Sequence, residues 1–482
     1  MWEYISKYLS ENLYSKMFCP HISDMGYTYE QVLLLSIKHG EGLKSVVKAG
    51  CKCAIMCDCE FNTVIAILAA WYANLVPVPI SKKYGRNHCN AILRLTEPEI
   101  LIVDNDQSCS QNINLYNIKN ANFMIVHNDF EPDPFLMDAA VIMCTSGTTG
   151  TPKGIVITIS GLINNVLGIK KYFNIGTNDT ILIARPIYHA AVLSGELLIS
   201  LIQGLNIVIY DNDYSPSSII QTVRDYKATV MCGTPTLFRQ ICLFLENSKE
   251  ILDIKNIVLS GECLRQSVAK RIRQSFCNSN IYSVYGLTEA SPRVSYLPPV
   301  EFDSYSESVG IPLYGSEIKI VNDNWCALAP YNRGLIIVKS SSIMKGYYKN
   351  PDLTKRVIRN GWLITGDCGY MDNDGRLYVD GRIDDLIIKG GMNIYPKEIE
   401  NNVLKLDEID DCMAYGFYNG EIQSLGIDVV LNGKHASLSN KEVKLLISLV
   451  LPRYQMPNKI SIVQEIARNA SGKIIRKTFR KQ

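Results

Sequence analysis

The sequence predicts an α/β protein: a large N-terminal domain of doubly wound sheets with a barrel-like β portion, then a small C-terminal α/β domain. Three observations predict it. From about residue 50 to 290, short apolar runs alternate with helical patterns; examples are Ile100-Leu101-Ile102-Val103, Ile181-Leu182-Ile183-Ala184, Ile207-Val208-Ile209-Tyr210 and Ile257-Val258-Leu259-Ser260. Continuous apolar strands with intervening helices mean parallel sheets covered on both faces. From about 300 to 380 the texture changes to alternating strands, Glu317-Ile318-Lys319-Ile320-Val321 and Gly334-Leu335-Ile336-Ile337-Val338, separated by turn residues. That pattern suits an antiparallel, barrel-like portion. The turn-prone, charged string Asp380-Gly381-Arg382-Ile383-Asp384-Asp385 then marks a boundary, giving domains 1–383 and 384–482.

The bulk properties allow this architecture. A chain of 482 residues fits one large unit plus a small one. With 47% hydrophobic and 20% charged residues it can bury a large core. A net charge of +2 points to neither nucleic acid nor an anionic membrane surface. The start, Met1-Trp2-Glu3-Tyr4-Ile5-Ser6-Lys7, lacks the layout of a signal peptide. The apolar stretch from Thr63 to Ile80 contains Asn74, Pro77 and Pro79, so it reads as helix then strand rather than a membrane span. A second, from Ala190 to Tyr210, is interrupted by Glu196, Gln203 and Gly204. A cytoplasmic location is expected. Fifteen cysteines without a disulfide-domain pattern suit a reducing compartment. Cys51, Cys53, Cys57 and Cys59 miss the usual zinc spacing, and Cys51 and Cys53 fall on one face of an extended segment as small buried hydrophobes.

The chemistry is concentrated in Met143-Cys144-Thr145-Ser146-Gly147-Thr148-Thr149-Gly150-Thr151-Pro152-Lys153-Gly154. Glycines let the backbone approach a ligand. Backbone N–H groups and hydroxyls are donors suited to phosphate oxygens, and Lys153 adds a positive charge. Ala139-Ala140-Val141-Ile142-Met143 reads as a buried strand entering the loop. The P-loop requires Gly, four residues, then Gly-Lys-Ser/Thr. Neither this loop nor Gly433-Lys434-His435 or Gly472-Lys473-Ile474 meets it, which disfavours P-loop kinases and GTPases.

Other strings add to this. Tyr285-Gly286-Leu287-Thr288-Glu289 offers an aromatic face for a base, a glycine, a hydroxyl and a carboxylate able to hold Mg²⁺; alone it also reads as a helix start. Thr365-Gly366-Asp367 presents a carboxylate whose two oxygens can accept both ribose hydroxyls, or a plain turn. Gly381-Arg382-Ile383-Asp384-Asp385, Gly390-Gly391-Met392-Asn393-Ile394-Tyr395-Pro396-Lys397-Glu398-Ile399-Glu400 and Ser471-Gly472-Lys473-Ile474 follow in that order.

Taken together, these ordered motifs resemble the adenylate-forming superfamily of acyl-CoA synthetases, adenylation domains and luciferases, from about residue 30 to 480. Gly390 to Glu400 and Ile343-Met344-Lys345-Gly346-Tyr347-Tyr348-Lys349-Asn350-Pro351 look like fatty-acid and aryl-acid ligases. The resemblance implies that Thr145, Ser146, Gly147, Thr148, Thr149, Gly150 and Lys153 surround the β,γ-phosphates of ATP. Gly261, Glu262 and Cys263 line one side of the adenine, Tyr285 with Gly286 the other. Thr288 reaches the α-phosphate, Glu289 holds Mg²⁺, and Asp367 and Arg382 bind the ribose. Asp384 matches the hinge of a rotating C-terminal domain, and Lys473 the lysine that reaches the substrate carboxylate and α-phosphate. Gly391 flanks the tunnel for the pantetheine of CoA or of a carrier protein. The chain departs from the pattern at Gly334-Leu335, where a glutamate often follows the glycine; Asn393 leans toward fatty-acid ligases.

For the acid, Pro186-Ile187-Tyr188-His189 stands where amino-acid-activating relatives carry an aspartate for the substrate ammonium. A buried ammonium needs such a partner, so α-amino acids are disfavoured. His189 reads as a pocket wall and gate, or as a packed core histidine; Gly233, Thr234 and Val284 are the other expected lining residues. Arg293 reads as a surface arginine, the usual placement, or as a partner for a polar or acidic group on the substrate or carrier. The leading expectation is an ATP-dependent ligase that makes an acyl-adenylate and passes the acyl group to CoA. Loading of a stand-alone acyl carrier protein acting in trans, a luciferase-like oxidase and a non-catalytic binding protein are the alternatives.

Overall fold

The computed structural model describes residues 1–482 except 21–22, 82–83, 105–114, 119–120, 126–130, 147–151, 212–214, 390–391, 420–421 and 469–482. Among the described residues the largest sheet has nine strands. Its parallel centre runs, in spatial order, Asn280–Gly286, Asn256–Leu259, Val230–Gly233, Thr180–Ile183, Asn206–Ile209 and Lys16–Cys19. Antiparallel strands flank it at both edges.

Both faces of this centre are buried, for a reason visible in the runs themselves. Along Ile181-Leu182-Ile183, the isoleucines belong to one apolar cluster and Leu182 to another. Alternate side chains point to opposite faces of a strand, so a wholly apolar run needs cover on both sides. A second sheet places Lys52–Met56 between Val76–Pro79 and Ile100–Val103, all parallel. The Thr63 to Ile80 stretch resolves into the Glu60–Tyr72 helix and the Val76–Pro79 strand. No described helix is long and apolar enough to cross a membrane.

The change of texture past residue 300 is also present. Ser316–Val321, Gly334–Ser340, Trp362–Met371, Ile358–Arg359 and Leu377–Arg382 form an antiparallel sheet. After Arg382 comes a single turn, Ile383–Asp385. From Ile387 to Leu451 the chain then builds an apolar cluster of its own around the Ile409–Asn419, Ile422–Leu431 and Lys459–Ile462 strands. Cys51 and Cys53 are buried as expected. Cys59 meets Cys19 and Asp211, with ligand atoms within 4.8 Å of one another, a grouping that spacing along the chain does not reveal.

The order of the nine strands positions the site. Thr180–Ile183 is followed in sequence by Asn206–Ile209 on one side of it and Val230–Gly233 on the other. The chain reverses direction across the sheet there. In open α/β sheets such a switch point opens a crevice beyond the carboxyl ends of the strands, where ligands bind.

Candidate active site

The phosphate-loop motif sits on a β-hairpin. Ala139–Ser146 pairs antiparallel with Pro152–Thr158, with Thr145 opposite Lys153 and Ser146 opposite Pro152. Gly147, Thr148, Thr149 and Gly150 lie outside the described residues. The hairpin fixes where they begin and end. Lys153 points its ammonium toward the Tyr347 ring, 5.4 Å from the centroid. The Tyr347 hydroxyl donates to Glu289 Oε1 at 2.8 Å, and the Glu289 carbonyl accepts from the Met344 N–H at 2.8 Å. Burial, then the Glu289 charge, pushes the Tyr347 phenol well above its ordinary value, so it is a donor at neutral pH. Two residues assigned to phosphate and Mg²⁺ thus meet through Tyr347. The sequence showed this tyrosine only inside a longer family-like string.

Tyr285 ends the Asn280–Gly286 strand, and Thr288 and Glu289 lie on the short turn Thr288–Ala290 after it. A side chain at Gly286 would place its Cβ 2.2 Å from the Pro292 carbonyl oxygen, so the close strand crossing there requires glycine. The Tyr285 hydroxyl donates to Asp367 Oδ2 at 2.5 Å. Burial and the neighbouring Asp367 charge raise the Tyr285 phenol well above its ordinary value. Asp367 and Arg382 are opposed across two strands. Arg382 donates to the Thr365 carbonyl at 2.9 Å and reaches Asp367 Oδ1 at 3.4 Å. Gly366 has φ +74°, and a Cβ there would lie 2.7 Å from the Arg382 guanidinium. The three residues expected around ribose and adenine therefore form one hydrogen-bonded group.

Gly261, with φ +88°, Glu262 and Cys263 follow the Asn256–Leu259 strand. Glu262 Oε2 accepts from the Thr236 N–H at 3.2 Å and hydroxyl at 2.7 Å, while Oε1 is buried with no hydrogen-bond partner. Burial pushes the Glu262 carboxyl up, against Thr236 and Arg468. Cys263 is exposed. Thr234 is spent on structure: its hydroxyl caps the Pro235–Ser248 helix by accepting from Leu237. Gly233 closes its strand against Leu237 and Phe238. Val284 is 5% exposed and joins the main apolar cluster. His189 is half-buried, its ring 4.3 Å from that of Tyr188, which lies 5.3 Å from Tyr84. It stands beside two tyrosine rings, partly exposed.

The surface reading of Arg293 is overturned. The residue is 5% exposed and its guanidinium donates to the Tyr172 hydroxyl. It faces inward because it begins the Arg293–Leu297 strand, opposite Gly286. Lys473 and Gly391 lie outside the described residues. Asp384 is exposed on the Ile383–Asp385 turn.

Sequence spacing did not disclose a contact from the C-terminal part to the adenine-side residues. Asp411 Oδ1 accepts from Arg265 at 2.6 Å and its Oδ2 from Arg468 at 2.9 Å. Arg468 also reaches the Thr236 hydroxyl at 3.3 Å, the same group that holds Glu262.

Comparison with known proteins identifies the family. The family model for AMP-binding enzymes matches residues 19–348. A 2-succinylbenzoate–CoA ligase of Geobacillus sp. (strain WCH70) is 31% identical over 342 residues, covering 70% of this chain and 68% of that protein. A feruloyl-CoA synthase of Amycolatopsis sp. is 27% identical over 350 residues, covering 72% and 70%. The o-succinylbenzoate CoA synthetase of Bacillus subtilis, in complex with its acyl-adenylate intermediate, superposes with a TM-score of 0.82 at 26% identity, covering 98% of each chain. The Thr145–Lys153 hairpin, the Asp367–Arg382 pair and the Glu289 carboxylate are held on this fold; the chain belongs to the AMP-binding, adenylate-forming enzymes and is an AMP-forming acid–thiol ligase.

Proposed function

We propose that the chain activates a fatty or aryl carboxylic acid lacking an α-ammonium group, and transfers the acyl group from its adenylate to CoA. The Tyr285–Asp367–Arg382 group carries the nucleotide part of this reading: a stacking ring, a carboxylate with two acceptor oxygens and a guanidinium held to it. The absence of a carboxylate at Tyr188-His189 supports the acid class. The CoA-ligase relatives support CoA over a carrier protein. A cytoplasmic location, the boundary at 383/384 and the hinge at Asp384 belong to the same proposal; the separate apolar cluster from Ile387 onward supports the boundary.

A carboxylate attacking the α-phosphate meets like charge, so the site must offset repulsion. Tyr347 occupies one oxygen of Glu289, and a single carboxylate with substrate phosphates suits Mg²⁺, which prefers oxygen ligands and keeps few protein ones. Glu289 would hold that ion, whose charge stabilises the phosphate oxygens. Asp367 and Arg382 fix the ribose, Lys153 faces the outgoing pyrophosphate, and Lys473 neutralises the α-phosphate. No protein nucleophile is needed; positioning carries much of the rate. Thiol attack on the acyl carbon needs a different arrangement, and a rotating C-terminal part that removes Lys473 provides it.

ATP–pyrophosphate exchange across fatty, aryl, hydroxy and amino acids tests the reading. Exchange is expected with fatty or aryl acids, and silence with every acid overturns it. Lys473→Ala should abolish adenylate formation yet leave thioester formation from supplied acyl-adenylate; equal loss of both steps contradicts the two-position mechanism.

A further inference from the structure

Arg185, Glu196 and Arg293 form a buried charged group at the switch-point crevice that adenylation chemistry does not use. Arg185 follows the Thr180–Ile183 strand and lies four residues before His189. Its guanidinium donates to Glu196 Oε1 through Nε at 3.1 Å and Nη2 at 2.5 Å, and to Ser260 Oγ at 2.9 Å. Ser260 adjoins the adenine-side Gly261. Glu196 is 1% exposed, and its Oε2 has no hydrogen-bond partner. It lies on a π-helical turn, Leu193–Leu198, a geometry frequent at functional sites. Gly195 on the same turn makes room for Arg293: a Cβ there would sit 2.8 Å from its Nη2. Among the described residues no carboxylate lies within ion-pair distance of Arg293.

Two guanidiniums and one carboxylate leave a positive excess where charge is expensive to bury unpaired. Burial pushes the Glu196 carboxyl up, against Arg185 and then Arg293; protonation would enlarge the excess and turn the free oxygen into a donor. All three charges act on the buried Cys232, which precedes the expected acyl-pocket residue Gly233 on its strand, and Arg185 stands four residues before His189. We infer that Arg293 and Arg185, with Glu196 between them, form a subsite for a second carboxylate on the acid substrate, so that the preferred substrates are dicarboxylic. This rests on the acid-activation reading above and narrows it.

Matched acids test it in ATP–pyrophosphate exchange: octanoate against suberate and against the hydroxyl-terminated acid of equal length, and toluate against terephthalate. A charged hydrogen bond is worth a factor of about 10 to 100. The wild type should favour the dicarboxylic member by about 30-fold in kcat/KM, Arg293→Leu should reverse that preference, and Glu196→Gln should strengthen it. Arg185→Leu and Arg293→Gln provide the same ratio if Arg293→Leu does not fold, and AMP-dependent thermal stabilisation identifies the folded variants. A wild-type preference for the methyl or hydroxyl terminus overturns the subsite, as does an unchanged ratio in the folded arginine variants. Either result leaves acid activation standing. Silence toward every acid with AMP binding intact overturns the acid-activation reading, and the subsite falls with it.

Discussion

Asp367 is held by its neighbours before any nucleotide binds. Tyr285 and Arg382 take its two oxygens, and the Thr365 hydroxyl takes its backbone N–H at 3.0 Å. Such preorganisation reduces the ordering that binding must enforce. In Asp367→Asn the ribose loses a charged acceptor, so KM for ATP should rise by roughly 10- to 100-fold. For Tyr285, ring and hydroxyl separate: Tyr285→Phe keeps the stacking face and should change nucleotide affinity by less than about 10-fold. Tyr285→Ala should lose a further 1–3 kcal/mol or so of stacking. Equal effects of the two substitutions, read by calorimetry with AMP, would remove the stacking role.

Single elements decide where these residues stand. The hairpin of Ala139–Ser146 and Pro152–Thr158 delivers Thr145 and Lys153 as cross-strand partners. In the neighbouring sheet, Lys52 at the start of the Lys52–Met56 strand gives Glu99 two contacts: Nζ to Oε1 at 2.6 Å and N–H to Oε2 at 2.5 Å. Both side chains are under a tenth exposed. Removing one member of a buried pair strands the other charge, at about 3–5 kcal/mol. Glu99→Ala should therefore lower the unfolding free energy, extrapolated from urea titration, by that amount and move the midpoint down with it. Below that midpoint the KM for ATP should hold its wild-type value, because the pair touches no nucleotide residue.

Across the whole molecule, Asp411 ties the C-terminal part to Arg265, alongside the Arg468–Thr236 contact. Burial raises its carboxyl, but Arg265 and Arg468 outweigh this and hold it below the usual value. A depressed carboxyl contributes stability that is complete above its unfolded value, about 3.9, and is lost as pH falls through the lower folded value. The tie is therefore intact at neutral pH and opens only in acid. On the proposed two-position mechanism, Asp411→Asn should shift the two half-reactions in opposite directions, because it weakens a contact that belongs to one position only. Stopped-flow rates for adenylation and thioester formation measure this; parallel changes in both would make the contact merely structural.

The family was legible because its motifs are contiguous strings, and the structure sets them on defined local backbone: Tyr285-Gly286-Leu287-Thr288-Glu289 on a strand end, Thr365-Gly366-Asp367 on a strand, Thr145 and Lys153 on the two arms of a hairpin. The parallel strands were legible because a run apolar at every position can be covered only on both faces. Tyr347 on Glu289, Arg468 on Thr236 and Cys59 beside Cys19 were not, since each joins residues far apart in the chain. Arg293 shows the limit most clearly: its sequence neighbours allow a surface position, and only the strand pairing opposite Gly286 turns it inward, against Gly195. The sequence by itself determined the family and the class of reaction, because its ordered local strings are those of the adenylate-forming enzymes. Only the tertiary structure decided which charges meet around Arg185, Glu196 and Arg293, because burial and pairing there are set by strand order rather than by any local pattern.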